Sequence, residues 1–401
     1  MFPSKNKIDP SFKKILSLDL YIKFRVIIKC TNFIKDTEKK IVSLRGTCIG
    51  SLPLLNLIFA EVDTRTLQRL TELPQVEYIF LDEFCHLCGG MSINKANKIV
   101  FSAKQLMFTG KGVSIGVIDS GVYPHDDLSF PSNRIKGFYD FINSFNYPYD
   151  DNGHGTMVSG IISGSGHCSK NAFKGISPDA SLYCYKAFDL TGKAYVSTIL
   201  TSIDLILNTK DKTNISILCM PFEYLGTSAD IINLFSETFN NLISNNIIPI
   251  VPSGSLKNES LIISGIGTLK NCISVGGLDT TDDLKPFVYS SCGLLKTSRK
   301  PDISAAAKNI VSLNSNTSFI PEKNGVKIYP PKLEKSYETF SGTSCSCAYI
   351  AGICSLIIEA SPGISFRDLL SILLLSCEPL DHYKNLSGEG YINFSKLFST
   401  K

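Results

Sequence analysis

Three side chains in this sequence are of the types that nucleophilic acyl transfer requires: Asp119, His154 and Ser344. A serine hydroxyl becomes a nucleophile when an imidazole accepts its proton, while a carboxylate fixes the tautomer of that imidazole. Asp119 follows an apolar run, and the other two residues each open an apolar segment after a glycine-containing turn. A buried helix beginning at Ser344 would offer its N–H groups and dipole to a developing negative charge.

Each of these residues also has an ordinary structural explanation. An Asp close before a glycine is frequent in turns, and Ser is a common residue at the start of a helix. His154, however, lies between Gly153 and Gly155, which leave space around the ring and argue against a packed core histidine. The ordered set of acid, base and nucleophile therefore favours a catalytic role for all three.

The apolar segments predict the elements that must position these residues. Strands and helices alternate along the main part of the chain, which predicts an α/β, doubly wound domain with a parallel central sheet. Functional groups in such sheets gather outside the carboxyl ends of the strands, where Asp119 is expected. The predicted strands are 113–118, 180–187, 215–220, 247–252 and 272–278. The predicted helices are 198–207, 234–244, 343–360 and 365–376.

The segment upstream of this domain predicts a smaller α+β module. Residues 21–28, 57–62 and 76–81 have strand composition, and residues 63–70 have the spacing of a capped helix. The chain is accordingly divided into four parts. They are an N-terminal extension (1–18), a small domain (19–83), a linker (84–104) and the main domain (105–401).

Composition limits the classes of function. The 401 residues are 43% apolar and 19% charged, as in a globular protein, and the net charge of +4 is too small to indicate nucleic acid. The N-terminus shows no apolar signal region, and no apolar run is long enough for a membrane span. The 13 cysteines, an odd number without framework spacing, predict buried thiols and a cytoplasmic location.

Other motifs are weak or missing. The lone pair Cys85 and Cys88 is poor support for a metal or redox site, and no G-x-G-x-x-G follows the strand at 113–118, which argues against a dinucleotide-binding enzyme. No loop has a readable calcium-ligand spacing. We therefore predict no cofactor. Whether a structural calcium ion binds cannot be read from the sequence.

The motifs together resemble the subtilisin-like serine proteases (the subtilase family), most closely their cytoplasmic, AprX-type branch. The resemblance covers about residues 105–395, and the order Asp, His, Ser is that of subtilisin. The matching segments are Gly110-Lys111-Gly112-Val113, 117–125, 150–156, Gly175-Ile176-Ser177-Pro178, Lys300-Pro301-Asp302-Ile303 and Ser341-Gly342-Thr343-Ser344.

This resemblance implies a serine endopeptidase that cleaves polypeptides with Asp119, His154 and Ser344. Residues 19–83 resemble the inhibitory propeptide of the family, which implies an intramolecular inhibitor that is removed by self-cleavage. The cut would then fall in the linker at 84–104.

The sequence also departs from the family pattern. Ser255 stands where the family has an Asn that donates to the oxyanion, and Cys219, Met220, Pro221 and Phe222 replace the substrate-lining S-L-G-G. A Ser hydroxyl can donate but reaches less far than an amide, and Pro221 has no N–H for a substrate strand. We therefore expect a slow or narrowly specific protease. The alternative is a catalytically impaired pseudoprotease that acts as a binding or regulatory protein.

Overall fold

The structure is a computed structural model that describes residues 7–17, 23–87, 90–91, 108–281, 283–295 and 298–397. It divides into two compact units. The first unit contains the described residues up to Phe84, together with Tyr195–Asp204 and Gly226–Phe235. The second contains Cys85–Ala194, Leu205–Leu225 and the described residues from Ser236 onward.

The first unit is built on a four-stranded antiparallel sheet. In spatial order its strands are Thr47–Leu52, Leu57–Asp63, Lys23–Cys30 and Val76–Leu81. Its N-terminal part also contains the helices Pro10–Ser17, Ile34–Ser43 and Thr64–Thr71. The three strands and the helix predicted from sequence are present within a few residues. The strand Thr47–Leu52 and the helices Pro10–Ser17 and Ile34–Ser43 had not been predicted.

Local chemistry explains where the helix Thr64–Thr71 begins. The Asp63 side chain accepts a hydrogen bond from the Thr66 backbone N–H at 2.7 Å, which satisfies one of the unpaired donors of the first turn. Leu67 and Leu70 then face the core, where they pack among the apolar side chains of the sheet. The cap therefore fixes the residue at which the helix begins, and with it the residues that face the core.

The second unit has the doubly wound architecture that the sequence predicts. Its main sheet has eight strands, all parallel except for the edge strand Lys285–Pro286. The other strands, along the sheet, are Ile303–Ala306, Ile273–Asp279, Ile248–Pro252, Ile215–Cys219, Ser114–Asp119, Ser181–Lys186 and Ile135–Asp140. The strand that ends at Asp119 thus lies inside the sheet.

Two helices of this unit are buried nearly all round, as their apolar composition requires. They are His154–Ser163 and Thr343–Ala360, and they pack against each other in the main core. Thr343–Ala360 is also long and apolar enough to cross a membrane, but most of it is buried inside the protein, so this is weak support for a membrane span. The further described helices of this unit are Asp126–Ser129, Phe366–Leu375, Lys384–Ser387 and Phe394–Leu397, and two more helices, Val196–Thr213 and Ala229–Ser244, have residues in both units.

Small sheets complete the chain. One contains Lys193–Tyr195, Phe84–Leu87 and Phe222–Tyr224, and another contains Ile310–Leu313, Tyr337–Ser341 and Gly90–Met91. The remaining strands form two-stranded pairs: Gly293–Leu295 with Ser298–Lys300, Glu322–Lys323 with Val326–Lys327, and Cys377–Glu378 with Tyr391–Ile392. The strands at 84–87 and 90–91 lie where the sequence predicted only a linker.

Removing the cap at Asp63 tests this account of the first unit. Asp63→Ala leaves the Thr66 N–H without its partner, so we expect the free energy of unfolding of the first unit to fall by about 1 kcal/mol. Urea unfolding monitored by circular dichroism measures the change. Gln68→Ala, an exposed change on the same helix, is the control. An Asp63→Ala protein as stable as the control would contradict the capping role.

Candidate active site

His154 and Asp119 form a buried, hydrogen-bonded pair. The imidazole Nδ1 lies 2.9 Å from both carboxylate oxygens of Asp119, and the two side chains are 8% and 1% exposed. Because an ionised carboxylate only accepts, Nδ1 carries the hydrogen and donates it. In the neutral ring Nε2 is then the acceptor. This is the tautomer that a general base requires.

Asp119 is held in place by the backbone around it. The backbone N–H of Ser120 donates to the Asp119 carboxylate at 2.6 Å, and the Asp119 carbonyl oxygen accepts from the backbone N–H groups of Ala187 and Phe188. Asp119 is the last residue of a parallel strand, so its side chain emerges at the carboxyl edge of the sheet. Asp119 is therefore held by hydrogen bonds to both its backbone and its side chain.

Asp150 anchors the start of the His154 helix. Its carboxylate accepts from the backbone N–H groups of Gly153 and Thr156 at 2.8 and 2.9 Å. It also accepts from the Ser120 hydroxyl at 2.8 Å, which connects the helix start to the residue that follows Asp119. Acidic groups are favourable at a helix N-terminus because they complement the helix dipole. Asp150 thus fixes the two halves of the pair relative to each other.

Ser344 is the second residue of the helix Thr343–Ala360 and is fully buried. The helix starts after Gly342, whose φ of 154° is a conformation that side chains rarely adopt. The Gly342 N–H donates to the Ala307 carbonyl oxygen at 2.8 Å, which anchors the turn to the core. Ser344 therefore lies at a rigid helix N-terminus, as the sequence predicted.

The Ser344 and His154 helices meet close to both residues. The Sγ of Cys345, directly after Ser344, lies 3.7 Å from the Sδ of Met157, one turn beyond His154. Burial raises the pKa of Cys345 to about 12, so its thiol stays protonated near neutral pH. The hydroxyl of Ser344, not the neighbouring thiol, is consequently the candidate nucleophile.

Ser255, at the predicted oxyanion position, is engaged by Glu223. The Ser255 N–H donates to the Glu223 carboxylate at 2.9 Å, and its hydroxyl makes a short hydrogen bond to the same carboxylate. The neighbouring Gly254 carbonyl oxygen accepts from the Thr343 hydroxyl at 3.2 Å, so this loop contacts the residue before Ser344. Donation from Ser255 to an oxyanion would require its hydroxyl to turn away from Glu223.

The predicted substrate-lining residues Cys219, Met220, Pro221 and Phe222 are all buried. Phe222 packs against the ring of Phe188 at a centroid distance of 5.2 Å instead of filling a pocket for a substrate side chain. The role of these four residues in substrate binding stays a prediction.

Two short strands from the N-terminal part of the chain, at 85–87 and 90–91, pair with strands next to the proposed site residues. Phe222–Tyr224 pairs antiparallel with 85–87, and the strand order places this segment between Lys193–Tyr195 and Phe222–Tyr224. Gly90–Met91 pairs antiparallel with Phe340 and Ser341, the latter three residues before Ser344. These two short strands therefore pair with the strand that begins at Phe222 and with the strand that ends three residues before Ser344.

Among the described residues, one group of side chains has donor atoms close enough to hold a metal ion: His125, Asp127 and Cys168, within 4.8 Å of one another. Both nitrogens of His125 are already engaged. Nδ1 accepts from the Asp127 backbone N–H at 3.0 Å, and Nε2 lies 2.9 Å from the Ser336 carbonyl oxygen. A metal ion would have to displace one of these hydrogen bonds, so the group is better suited to a structural role.

A doubly wound, mostly parallel sheet, together with motifs that carry Asp119, His154 and Ser344 in this order along the chain, is typical of the class of subtilisin-like serine peptidases. The model of the Subtilase family matches residues 110–391, and the chain belongs to this family. It is 29% identical over 360 residues to serine protease AprX of Bacillus subtilis, covering 84% of this chain and 78% of the relative. It is 25% identical over 339 residues to subtilisin E of the same species, covering 81% of this chain and 76% of the relative.

A solved structure shows the same fold. Fervidolysin from Fervidobacterium pennivorans, a keratinolytic enzyme related to subtilisin, superposes with a TM-score of 0.71 over 95% of this chain and 61% of its own. The sequence identity of 14% limits this comparison to the fold. The predicted family and fold class are thereby confirmed, and the chain is a subtilisin-like serine peptidase.

Two polar residues near the site were not identified from the sequence. Glu223 contacts Ser255, and Lys186 is a fully buried lysine at the carboxyl end of the strand beside Asp119. The available signal was a lysine directly after the apolar and aromatic residues 182–185 of the strand Ser181–Lys186. Glu223 gave no such signal, because its contact with Ser255 depends on how a short strand and a loop distant in sequence meet.

Gly155 provides a test of the close packing around the pair. A Cβ added there would lie 2.1 Å from the Gly121 carbonyl oxygen and 3.1 Å from the Asp119 Cβ. We expect Gly155→Ala to displace the His154 helix and to lower the rate of Ser344 labelling by a fluorophosphonate about 100-fold. Gly50→Ala, whose added Cβ would be 3.9 Å from its nearest neighbour, is the control. Equal labelling of both variants would contradict the packing argument.

Proposed function

We propose that the protein hydrolyses peptide bonds with Asp119, His154 and Ser344 as its catalytic residues. The Ser344 hydroxyl attacks the substrate carbonyl carbon and transfers its proton to Nε2 of His154. The resulting imidazolium is stabilised by Asp119 and returns the proton to the leaving amine. Water then hydrolyses the acyl-enzyme by the same proton transfers. The observation that carries this proposal is the buried 2.9 Å contact between His154 Nδ1 and Asp119.

Stabilisation of the oxyanion is the weak point of this mechanism. The backbone N–H of Ser344, at the helix N-terminus, is one proposed donor, and the Ser255 hydroxyl is the second. Loss of one such donor typically costs about 10²–10³ in kcat. Because Glu223 holds the Ser255 hydroxyl and adds a carboxylate beside it, we propose slow turnover.

The N-terminal part of the chain is proposed to be an inhibitory propeptide that the enzyme removes itself. The antiparallel pairing of 85–87 with Phe222–Tyr224 and of Gly90–Met91 with Phe340 and Ser341 supports this. A peptide substrate binds to an exposed strand edge in the same manner. The bonds between Leu87 and Gly90 connect the two paired strands, so we propose that the cut falls there, inside the linker at 84–104.

Self-cleavage is tested by intact mass of the full chain and of Ser344→Ala over time. We expect the wild type to lose a fragment ending between Leu87 and Gly90, and Ser344→Ala to keep its full mass. A rate that is independent of protein concentration identifies cleavage within one molecule. Fluorophosphonate labelling of the processed wild type at Ser344 completes the test.

The control for this experiment is Ser346→Ala, two residues along the same buried helix. Its hydroxyl donates to the carbonyl oxygen of Ala305 and is not part of the proposed triad. It should be processed and labelled like the wild type. If the folded wild type is neither cut nor labelled, the catalytic proposal fails.

The second candidate function is a pseudoprotease that binds or regulates a partner. The observation in its favour is the Glu223 carboxylate at Ser255, since a negative charge there opposes the charge of a tetrahedral intermediate. In this case the strand edges at Phe222–Tyr224 and Tyr337–Ser341 would hold a polypeptide without cleaving it. The sequence retains all three residue types of the proposed triad, Asp119, His154 and Ser344, which makes the active protease the stronger candidate.

Glu223→Gln tests whether the Glu223 carboxylate slows the proposed protease. The amide oxygen still accepts from Ser255 while the negative charge is removed, so an active enzyme should gain about three- to tenfold in kcat. Hydrolysis of an unfolded protein substrate measures the change. Glu259→Gln, which removes an exposed carboxylate from the following loop, is the control and should have no effect. A fall in kcat for Glu223→Gln would show that the carboxylate assists the reaction.

We further propose a cytoplasmic location and activity without a cofactor. The twelve described cysteines are free thiols. The Sγ atoms of Cys219 and Cys347 lie only 3.8 Å apart but form no disulfide bond. Thiols in this number are typical of a reducing compartment. Acyl transfer by Ser, His and Asp needs no cofactor. The proposed partners are a polypeptide substrate and the chain's own N-terminal segment.

A further inference from the structure

Lys186 is a buried cation beside the proposed catalytic pair. It ends the strand Ser181–Lys186, and the register of the parallel sheet places it next to Asp119. Its side chain is fully buried, although an ammonium group is costly to remove from water. Such a lysine is retained only where its hydrogen bonds and charge are matched by its surroundings.

The ammonium group of Lys186 joins the two segments that carry Asp119 and His154. It donates to the Ser120 carbonyl oxygen at 2.6 Å, one residue after Asp119. It also donates to the Asp151 carboxylate at 2.5 Å, three residues before His154. A third hydrogen bond reaches the carbonyl oxygen of Phe188 at 3.1 Å.

The surroundings of Lys186 match its positive charge. Its three donors are used by two carbonyl oxygens and one carboxylate, and its Nζ lies 4.9 Å from the centroid of the Tyr149 ring, a favourable cation–π distance. Burial raises the pKa of Tyr149, so this ring stays neutral. The site is therefore built around a cation.

The charges near His154 would otherwise be mainly negative. The titratable groups around this network are Asp119 on the strand, Asp150 and Asp151 before the helix, Tyr149 in the same loop, Cys184 and Lys186 on the neighbouring strand, and Asp189 after that strand. Nearby carboxylates favour the protonated imidazole, and a nearby cation disfavours it. A permanently protonated His154 could not accept the proton of Ser344.

We propose that Lys186 is a positioning residue for the peptidase reaction. It ties the segment after Asp119 to the segment before His154 and offsets the surrounding carboxylates, so that His154 acts as a base near neutral pH. This inference rests on the proposed function for its catalytic meaning. Its effect on the charge and geometry of His154 can be measured whether or not the protein is active.

The titration of His154 in the full chain is the direct test. The protein is labelled with ¹⁵N-histidine, and the His154 signal is assigned by its loss in His154→Ala. In Lys186→Met we expect His154 to titrate at a pH higher by about 0.5 or more, because a cation has been removed and Asp151 is left unpaired. In Asp151→Asn the shift should be in the opposite direction, because the ammonium loses its counterion.

Two controls separate this effect from general damage. Lys136→Met removes an exposed lysine from the adjacent strand Ile135–Asp140 and should leave the titration of His154 unchanged, because exposed charges are well screened. In Lys186→Met/Asp151→Asn both charges are absent, so the titration should return towards that of the wild type. Near-UV circular dichroism checks that each variant is folded.

The second measurement is the rate of Ser344 labelling by a fluorophosphonate as a function of pH. Lys186→Met should be labelled at least about tenfold more slowly at pH 7, with its acidic limb moved to higher pH. If the wild type is not labelled, the proposed function fails, while the histidine titration still decides the role of Lys186.

The proposal is overturned if His154 titrates alike in Lys186→Met and the wild type. If Lys186→Met does not fold, Asp151→Asn carries the test alone. A shift to higher pH, or no shift, in that variant would then overturn the proposal.

Discussion

The hydrogen bonds between His154 Nδ1 and the Asp119 carboxylate are the contact on which the rest of the site depends. They connect the end of a parallel strand to the start of a buried helix, two points 35 residues apart in sequence. Asp150 holds the same two segments together through Ser120 and Thr156. The tautomer of one imidazole is therefore set by the meeting of a sheet edge with a helix N-terminus.

The fold and the proposed catalytic residues could be predicted because their signals are local. Asp119 is the last residue of a buried strand, and His154 and Ser344 each lie in the first turn of an apolar helix that follows a glycine. These patterns depend on neighbours in sequence, and so do the strands and helices that carry the residues. The family confirmed by comparison is the one that these motifs indicated.

The parts that could not be predicted depend on contacts between distant segments. Glu223 reaches Ser255 across 32 positions, and Lys186 reaches Asp151 across 35. Neither spacing matches a local sequence pattern, so these contacts become visible only once the segments are placed in the fold. The strands at 84–87 and 90–91 were missed because they are short and exist only through pairing with other segments, which supply the hydrogen bonds that an isolated short strand lacks.

The paired strands around the proposed catalytic serine also have a consequence for the state of a substrate. The described part of this segment, Phe84–Leu87 with Gly90–Met91, contains six residues, which in extended form span about 20 Å. A polypeptide that replaced it would have to release a similar length from its own secondary structure and tertiary packing. For a folded protein, that release costs the free energy of a local opening. We therefore expect susceptibility to follow the local stability of the target chain more closely than the identity of the residues at the cut.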